Sequence, residues 1–125
     1  MSIDFYDSKG RPYAYTDDGE TIYTFGGVPI AFIDGDSIYS FSGTHVAFFE
    51  NGQIWDHRGG VVLFTDQASG GPMKPLKALK PLKGLKSLKP LKGLKALKPL
   101  KPLKSLPESV KPAPTLSLSP PASNF

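Results

Sequence analysis

A sixteen-residue repeat runs through the first half of this chain and leaves it few folds to choose from. IYTFGGVPIAFI, IYSFSGTHVAFF and IWDHRGGVVLFT begin at Ile22, Ile38 and Ile54, and a fourth copy, FYDSKGRPYAYT, begins at Phe5, seventeen residues before Ile22. Aligned, the copies share a glycine (Gly10, Gly27, Gly43, Gly59) and an aromatic residue (Tyr6, Tyr23, Tyr39, Trp55). They share a second aromatic column (Tyr15, Phe32, Phe48, Phe64), preceded by Ala14, Ala31, Ala47 and Leu63. A unit this short cannot bury a face by itself, so its copies must pack on one another.

Each unit predicts a β-hairpin. Its halves are four or five residues long, rich in aromatic and β-branched types, and alternate in polarity. Lys9-Gly10, Gly26-Gly27, Ser42-Gly43 and Arg58-Gly59 join the halves as two-residue turns, with the glycine supplying a positive φ. Asp18-Gly19, Asp34-Gly35 and Asn51-Gly52 join one hairpin to the next. Such turns set Tyr23 opposite Ile30 and put Phe25 and Phe32 on the same face, while Ile22 meets Ala31 on the other. Four hairpins around an axis would place the small alanines where crowding is greatest and leave no open sheet edge.

The expected fold is therefore all-β, with four tandem hairpins in a pseudo-fourfold shallow barrel. On these residues the chain resembles the four-fold β-flower proteins, bacterial proteins in which hairpin petals form a shallow, cone-shaped barrel. The resemblance covers roughly residues 3–66 and rests on IYTFGGVPIAF and IYSFSGTHVAF, with IWDHRGGVVLF a looser copy. It implies a fold and no activity. A domain this small buries only about 60% of its unfolded surface. Dimerisation through an aromatic face is one supplement, and a self-sufficient monomer the alternative.

The domain reads as residues 1–67, followed by a Gly-rich linker at 68–73. From 74 to 106 the chain is eleven Lys-x-Leu triplets in which x is only Pro, Ala, Gly or Ser. Prolines at 75, 81, 90, 99 and 102 exclude a helix. A period of three is that of polyproline II, so the tail is expected to be disordered or polyproline II-like, with lysines on one edge and leucines on another. Residues 107–125 are Pro/Ser-rich and read as a disordered terminus.

Charge divides sharply between the two parts. Residues 1–73 carry three basic side chains against ten acidic ones, a formal −7, and residues 74–125 carry twelve lysines against Glu108, a formal +11. A basic tail of this kind seeks polyanions. The candidate binding residues are Lys74, Lys77, Lys80, Lys83, Lys86, Lys89, Lys92, Lys95, Lys98, Lys101 and Lys104. An anionic membrane surface is the favoured partner, because it uses the leucines as well as the lysines. Nucleic acid comes second, since the tail has no aromatic residue for base stacking. A solvated spacer and a tail folded back on its own acidic domain are the other readings. A small apolar ligand on the barrel axis is a further alternative.

Nothing points to catalysis, a cofactor or a metal. Cysteine is absent. Asp56 and His57 are neighbours in sequence, which in a strand puts them on opposite faces. His57 stands in the column of Phe25 and Phe41, where a packing role outweighs a basic one, and His45 stands in the column of Pro12 and Pro29. Asp34-Gly35-Asp36 lacks the rest of a calcium loop, and acidic residues in tight turns follow from turn geometry alone. Without a signal-peptide pattern or a membrane-spanning run, the expected location is the cytoplasm, peripheral at the membrane.

Overall fold

The computed structural model describes residues 2–70 and 74–101. Eight strands follow one another: β1 (Ile3–Tyr6), β2 (Pro12–Thr16), β3 (Thr21–Tyr23), β4 (Pro29–Asp34), β5 (Ser37–Tyr39), β6 (His45–Glu50), β7 (Gln53–Trp55) and β8 (Val61–Phe64). All neighbours are antiparallel, and β8 returns to β1 at Tyr6 and Phe64 to close the barrel. Each of the four petals is one hairpin of the repeat. The axial face is the alternation expected from the sequence: Phe5, Ile22, Ile38 and Ile54 pair with Ala14, Ala31, Ala47 and Leu63. All eight are 0% exposed and belong to one cluster, so the axis is filled by its own side chains.

The turns differ from the two-residue form, with consequences for both faces. In petal two, Thr24 N–H donates to the Val28 carbonyl and Gly27 N–H to the Thr24 carbonyl, each at 2.9 Å, and the other petals repeat the pattern. The chain thus closes a loop from Thr24 to Val28 and re-enters the ladder one residue out of step. Ile22 pairs with Ala31, but Tyr23 pairs with Pro29 rather than Ile30. Ile30 is the extra residue of a bulge, and a bulge re-aims a side chain. Ile30 accordingly turns to the axial cluster, as does its equivalent Val62, while Tyr13 and Val46 pack against it half-buried.

A polar oxygen holds each loop. Asp7 Oδ1 accepts from Arg11 N–H at 2.9 Å, Thr24 Oγ1 from Val28 N–H at 3.1 Å, Ser40 Oγ from Thr44 N–H at 3.2 Å, and Asp56 Oδ1 from Gly60 N–H at 2.9 Å. Short oxygen-bearing side chains make such turns with their own backbone.

With Ile30 turned in, the aromatic residues group between petals instead of within them. Tyr15 of petal one stacks on Tyr23 of petal two at 5.7 Å, with Phe25 beside them. Phe32 of petal two stacks on Tyr39 of petal three at 5.6 Å, beside Phe41. Tyr6 stacks on Phe64 at 5.6 Å across the closure. These rings weld each petal to the next on the outer face. The extra residue of the first spacing sits in the connection between β2 and β3, where Asp18 Oδ1 accepts from Glu20 and Thr21 N–H groups.

Ile38 touches only core, so Ile38→Ala is expected to cost about 2–5 kcal/mol, the range for truncating a buried aliphatic side chain. Urea unfolding followed through Trp55 fluorescence measures this. The matched control, Leu88→Ala at a 95% exposed position, should leave the midpoint in place.

Candidate functional site

Lysine repeats every three residues between 74 and 101, and so do leucine and a small residue. An extended strand with three residues per turn sorts such positions onto three sides. The structure shows that sorting. Residues 74–101 carry neither helix nor strand and lie as a belt on the outer petals, so among the tail readings it is the fold-back on the acidic domain that the described residues adopt. Residues 102–125, with Lys104 and the Pro/Ser-rich terminus, lie outside the described residues.

The small-residue side faces the barrel through its backbone. Ala78, Ser87 and Ala96 N–H groups donate to the carbonyls of Gly10, Gly27 and Gly43 at 2.7–2.8 Å. Gly84 and Gly93 donate to the carbonyls of Phe25 and Phe41 at 2.6 Å. Between these donors stand Pro81 and Pro90, and Pro99 follows the last of them; none has an N–H to satisfy. Two of the belt positions must be glycine for space: a Cβ on Gly84 or Gly93 would run into the carbonyl of Gly26 or Ser42. The petal glycines are needed twice over. Gly27 and Gly43 have φ of 97° and 99°, and a Cβ there would strike the carbonyls of Leu85 and Leu94.

Among the described residues these contacts recur every nine belt residues over petals one to three. That register was legible in the sequence: Pro81, Pro90 and Pro99, then Gly84 and Gly93, then Ser87 and Ala96 stand nine apart. A reading by triplets alone passes over it, because it treats the third slot as interchangeable.

The lysine side follows the same register. Lys77, Lys86 and Lys95 lie over the rings of Tyr6, Tyr23 and Tyr39 and pair with Asp66, Asp17 and Asp34. Lys83, Lys92 and Lys101 lie over Tyr15, Phe32 and Phe48, with Asp17, Glu20 and Glu50 as their carboxylates. Lys80, Lys89 and Lys98 pair with Asp4 (2.8 Å), Asp18 (3.5 Å) and Asp36. Lys74 donates to the Gly70 carbonyl at 3.0 Å. An ammonium over an aromatic face gains from the ring quadrupole as well as from the carboxylate. The acidic turns that geometry alone seemed to explain are therefore the receptors of the belt, Asp34 and Asp36 among them.

The carboxylates register this in their acidity. Hydrogen bonds from Lys101 and Lys98 hold Asp36 at about 2. Partial desolvation works against Asp18, yet the Thr21 and Glu20 N–H groups, Lys89 and Thr16 keep it at about 2. Lys86 lowers Asp17, with further help from Lys83 and Ser2.

The leucine side touches nothing. Every leucine from Leu76 to Leu100 is 93–97% exposed.

The two histidines meet where sequence spacing gave no reason to join them. His45 Nδ1 lies 2.8 Å from His57 Nε2, and both rings contact Phe48. Burial, then His57 and Lys98, lower His45 to about 4 against the pull of Asp36, so His45 is neutral near pH 7. His57 thus packs in the aromatic column, and Asp56 is engaged in its own turn. Among the described residues no group of three His, Cys, Asp or Glu side chains is placed to hold a metal ion.

A family model described as 4-fold beta flower protein matches residues 3–122. The chain belongs to that family. The match extends well past β8, so the belt lies within the span that the flower family shares, beyond the 3–66 over which the hairpins alone carry the resemblance. No curated protein and no solved structure matches the chain.

Charge should govern the closure of this flower. Asp17, Asp18 and Asp36 are held below the ordinary carboxylate value near 3.9. Their share of the belt's hold is therefore complete above that pH and is lost as pH falls through the bound values, near 2 for Asp18 and Asp36. Small-angle scattering at low salt should show a radius of gyration that is constant from pH 7 to about 4 and rises below it. At pH 7, about 1 M salt shortens the screening length to roughly 3 Å and should produce part of the same expansion. A radius unchanged under both conditions contradicts an electrostatic belt.

Proposed function

We propose that the belted flower is a non-enzymatic docking module that attaches to a membrane surface through its leucine row. One observation carries this reading: the lysines turn onto the protein's own carboxylates while the leucines stand in solvent, 93–97% exposed. Exposed apolar side chains are ordinary when scattered, but a continuous series marks a contact surface. Full burial of one leucine is worth about 1.5–3 kcal/mol. Even shallow insertion of several into the headgroup boundary holds a small domain.

This revises the expected tether in one respect. The lysines secure the belt, and the leucines make the attachment, with anionic lipid a secondary aid. The module then sits at the cytoplasmic side as a peripheral protein. Among the described residues no helix is long and apolar enough to cross a membrane. Nucleic acid is the weaker partner, because it would have to take the lysines from the petals. A small apolar ligand is weaker still, since the side chains that line the axis are 0% exposed.

Co-sedimentation of the full-length protein with neutral and with anionic vesicles tests this. Binding to both, little affected by salt while the belt is closed and lost in Leu79→Ser/Leu88→Ser/Leu97→Ser, is the expected result. Binding to anionic vesicles alone, indifferent to those substitutions, would overturn it in favour of a simple polycation. Absence of vesicle binding together with leucine-dependent self-association would assign the row to a second copy instead.

A further inference from the structure

A backbone groove, a ring and a carboxylate recur three times around the flower, each time in the same relation to a nine-residue stretch of belt. We infer that the outer face of the petals is a repeating receptor for lysine-rich, polyproline II-like peptide strands, and that it takes such a strand from another molecule as well as from its own chain.

The requirements of one receptor unit can be read from petals two and three. The turn carbonyls of Phe25 and Gly27 each accept one strand N–H, and the strand residues that donate them are small. At the first of these, Gly84 lies so near Gly26 that no side chain fits, with 2.5 Å from an added Cβ to the Gly26 carbonyl oxygen. Petal three repeats this with Phe41, Gly43 and Gly93. Three residues before the glycine the strand donates nothing, and Pro81 or Pro90 stands there. On the adjoining side a lysine enters between a tyrosine ring and a carboxylate: Lys86 lies 5.0 Å from the centre of Tyr23 and 2.8 Å from Asp17.

Recognition of polyproline II strands on aromatic-lined surfaces is a recurring mode, because the strand is extended before it binds and loses little entropy. Here the mode is adapted to a cationic strand by the formal −7 of residues 1–73. The ligand is a segment with lysine every third residue, glycine then a small residue at successive intervening positions, and proline one triplet before the glycine. The side chain at the remaining third of the positions is free of any requirement, since the leucines there approach the petals only through their backbone and are 93–97% exposed. The resident strand competes from a short tether at an effective concentration on the order of millimolar, so a strand from outside enters once the linker is cut or the belt is loosened by salt.

The test uses the full chain carrying a protease site within residues 68–73. After cleavage at low salt, the tail fragment should stay with the flower on gel filtration and leave it at several hundred millimolar salt. A fluorescent synthetic peptide of residues 74–101 should then replace it. Affinity should fall at least about tenfold for the Gly84→Val/Gly93→Val peptide, whose side chains cannot enter the turns, and change less than about threefold when every leucine is serine. The leucine result separates this inference from membrane docking, which those leucines would abolish. If the flower unfolds on losing its tail, recovery of its near-ultraviolet dichroism on adding the peptide supports the receptor equally, and failure to recover overturns it. A peptide that does not bind, or one whose binding ignores the glycine substitutions, also overturns it.

Discussion

Nine residues of an extended strand cover the same arc as one sixteen-residue petal, and every contact of the belt depends on that match. At about 3.1 Å per residue, nine residues of polyproline II span roughly 28 Å, three full turns of the strand. Because nine is a multiple of three, each petal meets the same side of the strand. The lysines therefore return to a ring and a carboxylate, and the donors return to a turn carbonyl. Were the arc one residue longer, the strand would arrive at the next petal rotated by a third of a turn. Gly84 and Gly93, and the prolines that precede them, show how closely the third slot is fitted to this register.

The same match decides how charge and apolar surface are distributed. An acidic barrel and a cationic tail could have remained two separate fields on one molecule. Wrapping one with the other neutralises both at short range, and the individual pairs are exposed ion pairs of the kind that contribute little singly. Their worth lies in repetition and in the rings beneath them, such as Phe32 under Lys92 at 4.6 Å. What the wrapping leaves outward is leucine. A surface that would have been basic becomes, over the arc of the belt, a line of apolar side chains.

Much of the barrel was legible in the sequence because strand alternation and fourfold repetition report on the same thing. The Ile/Ala axis, the eight strands and the closure all follow from them. The bulge did not follow, because a two-residue turn was the simplest account of each x-Gly pair. The sign of a longer loop was present in the column Asp7, Thr24, Ser40 and Asp56, whose oxygens cap an N–H four residues on. Missing it placed Ile30 among the aromatic residues rather than at the axis. The belt was legible in part. Opposite charges allowed it, and the nine-residue spacing of Pro81, Pro90 and Pro99 encoded it. Its receptor was hidden, because acidic residues in turns already have a sufficient local explanation. The meeting of His45 and His57 depends on how petals three and four pack, which no local pattern reveals.

The central claim is the register itself, and zero-length carbodiimide crosslinking of the full-length protein at low salt, read by mass spectrometry, tests it most directly. The account predicts amide links that advance together, from Lys77–Asp66 to Lys86–Asp17 to Lys95–Asp34, nine residues in the belt for each petal passed. Crosslinks from each of these lysines scattered over many carboxylates, with no such advance, would contradict it.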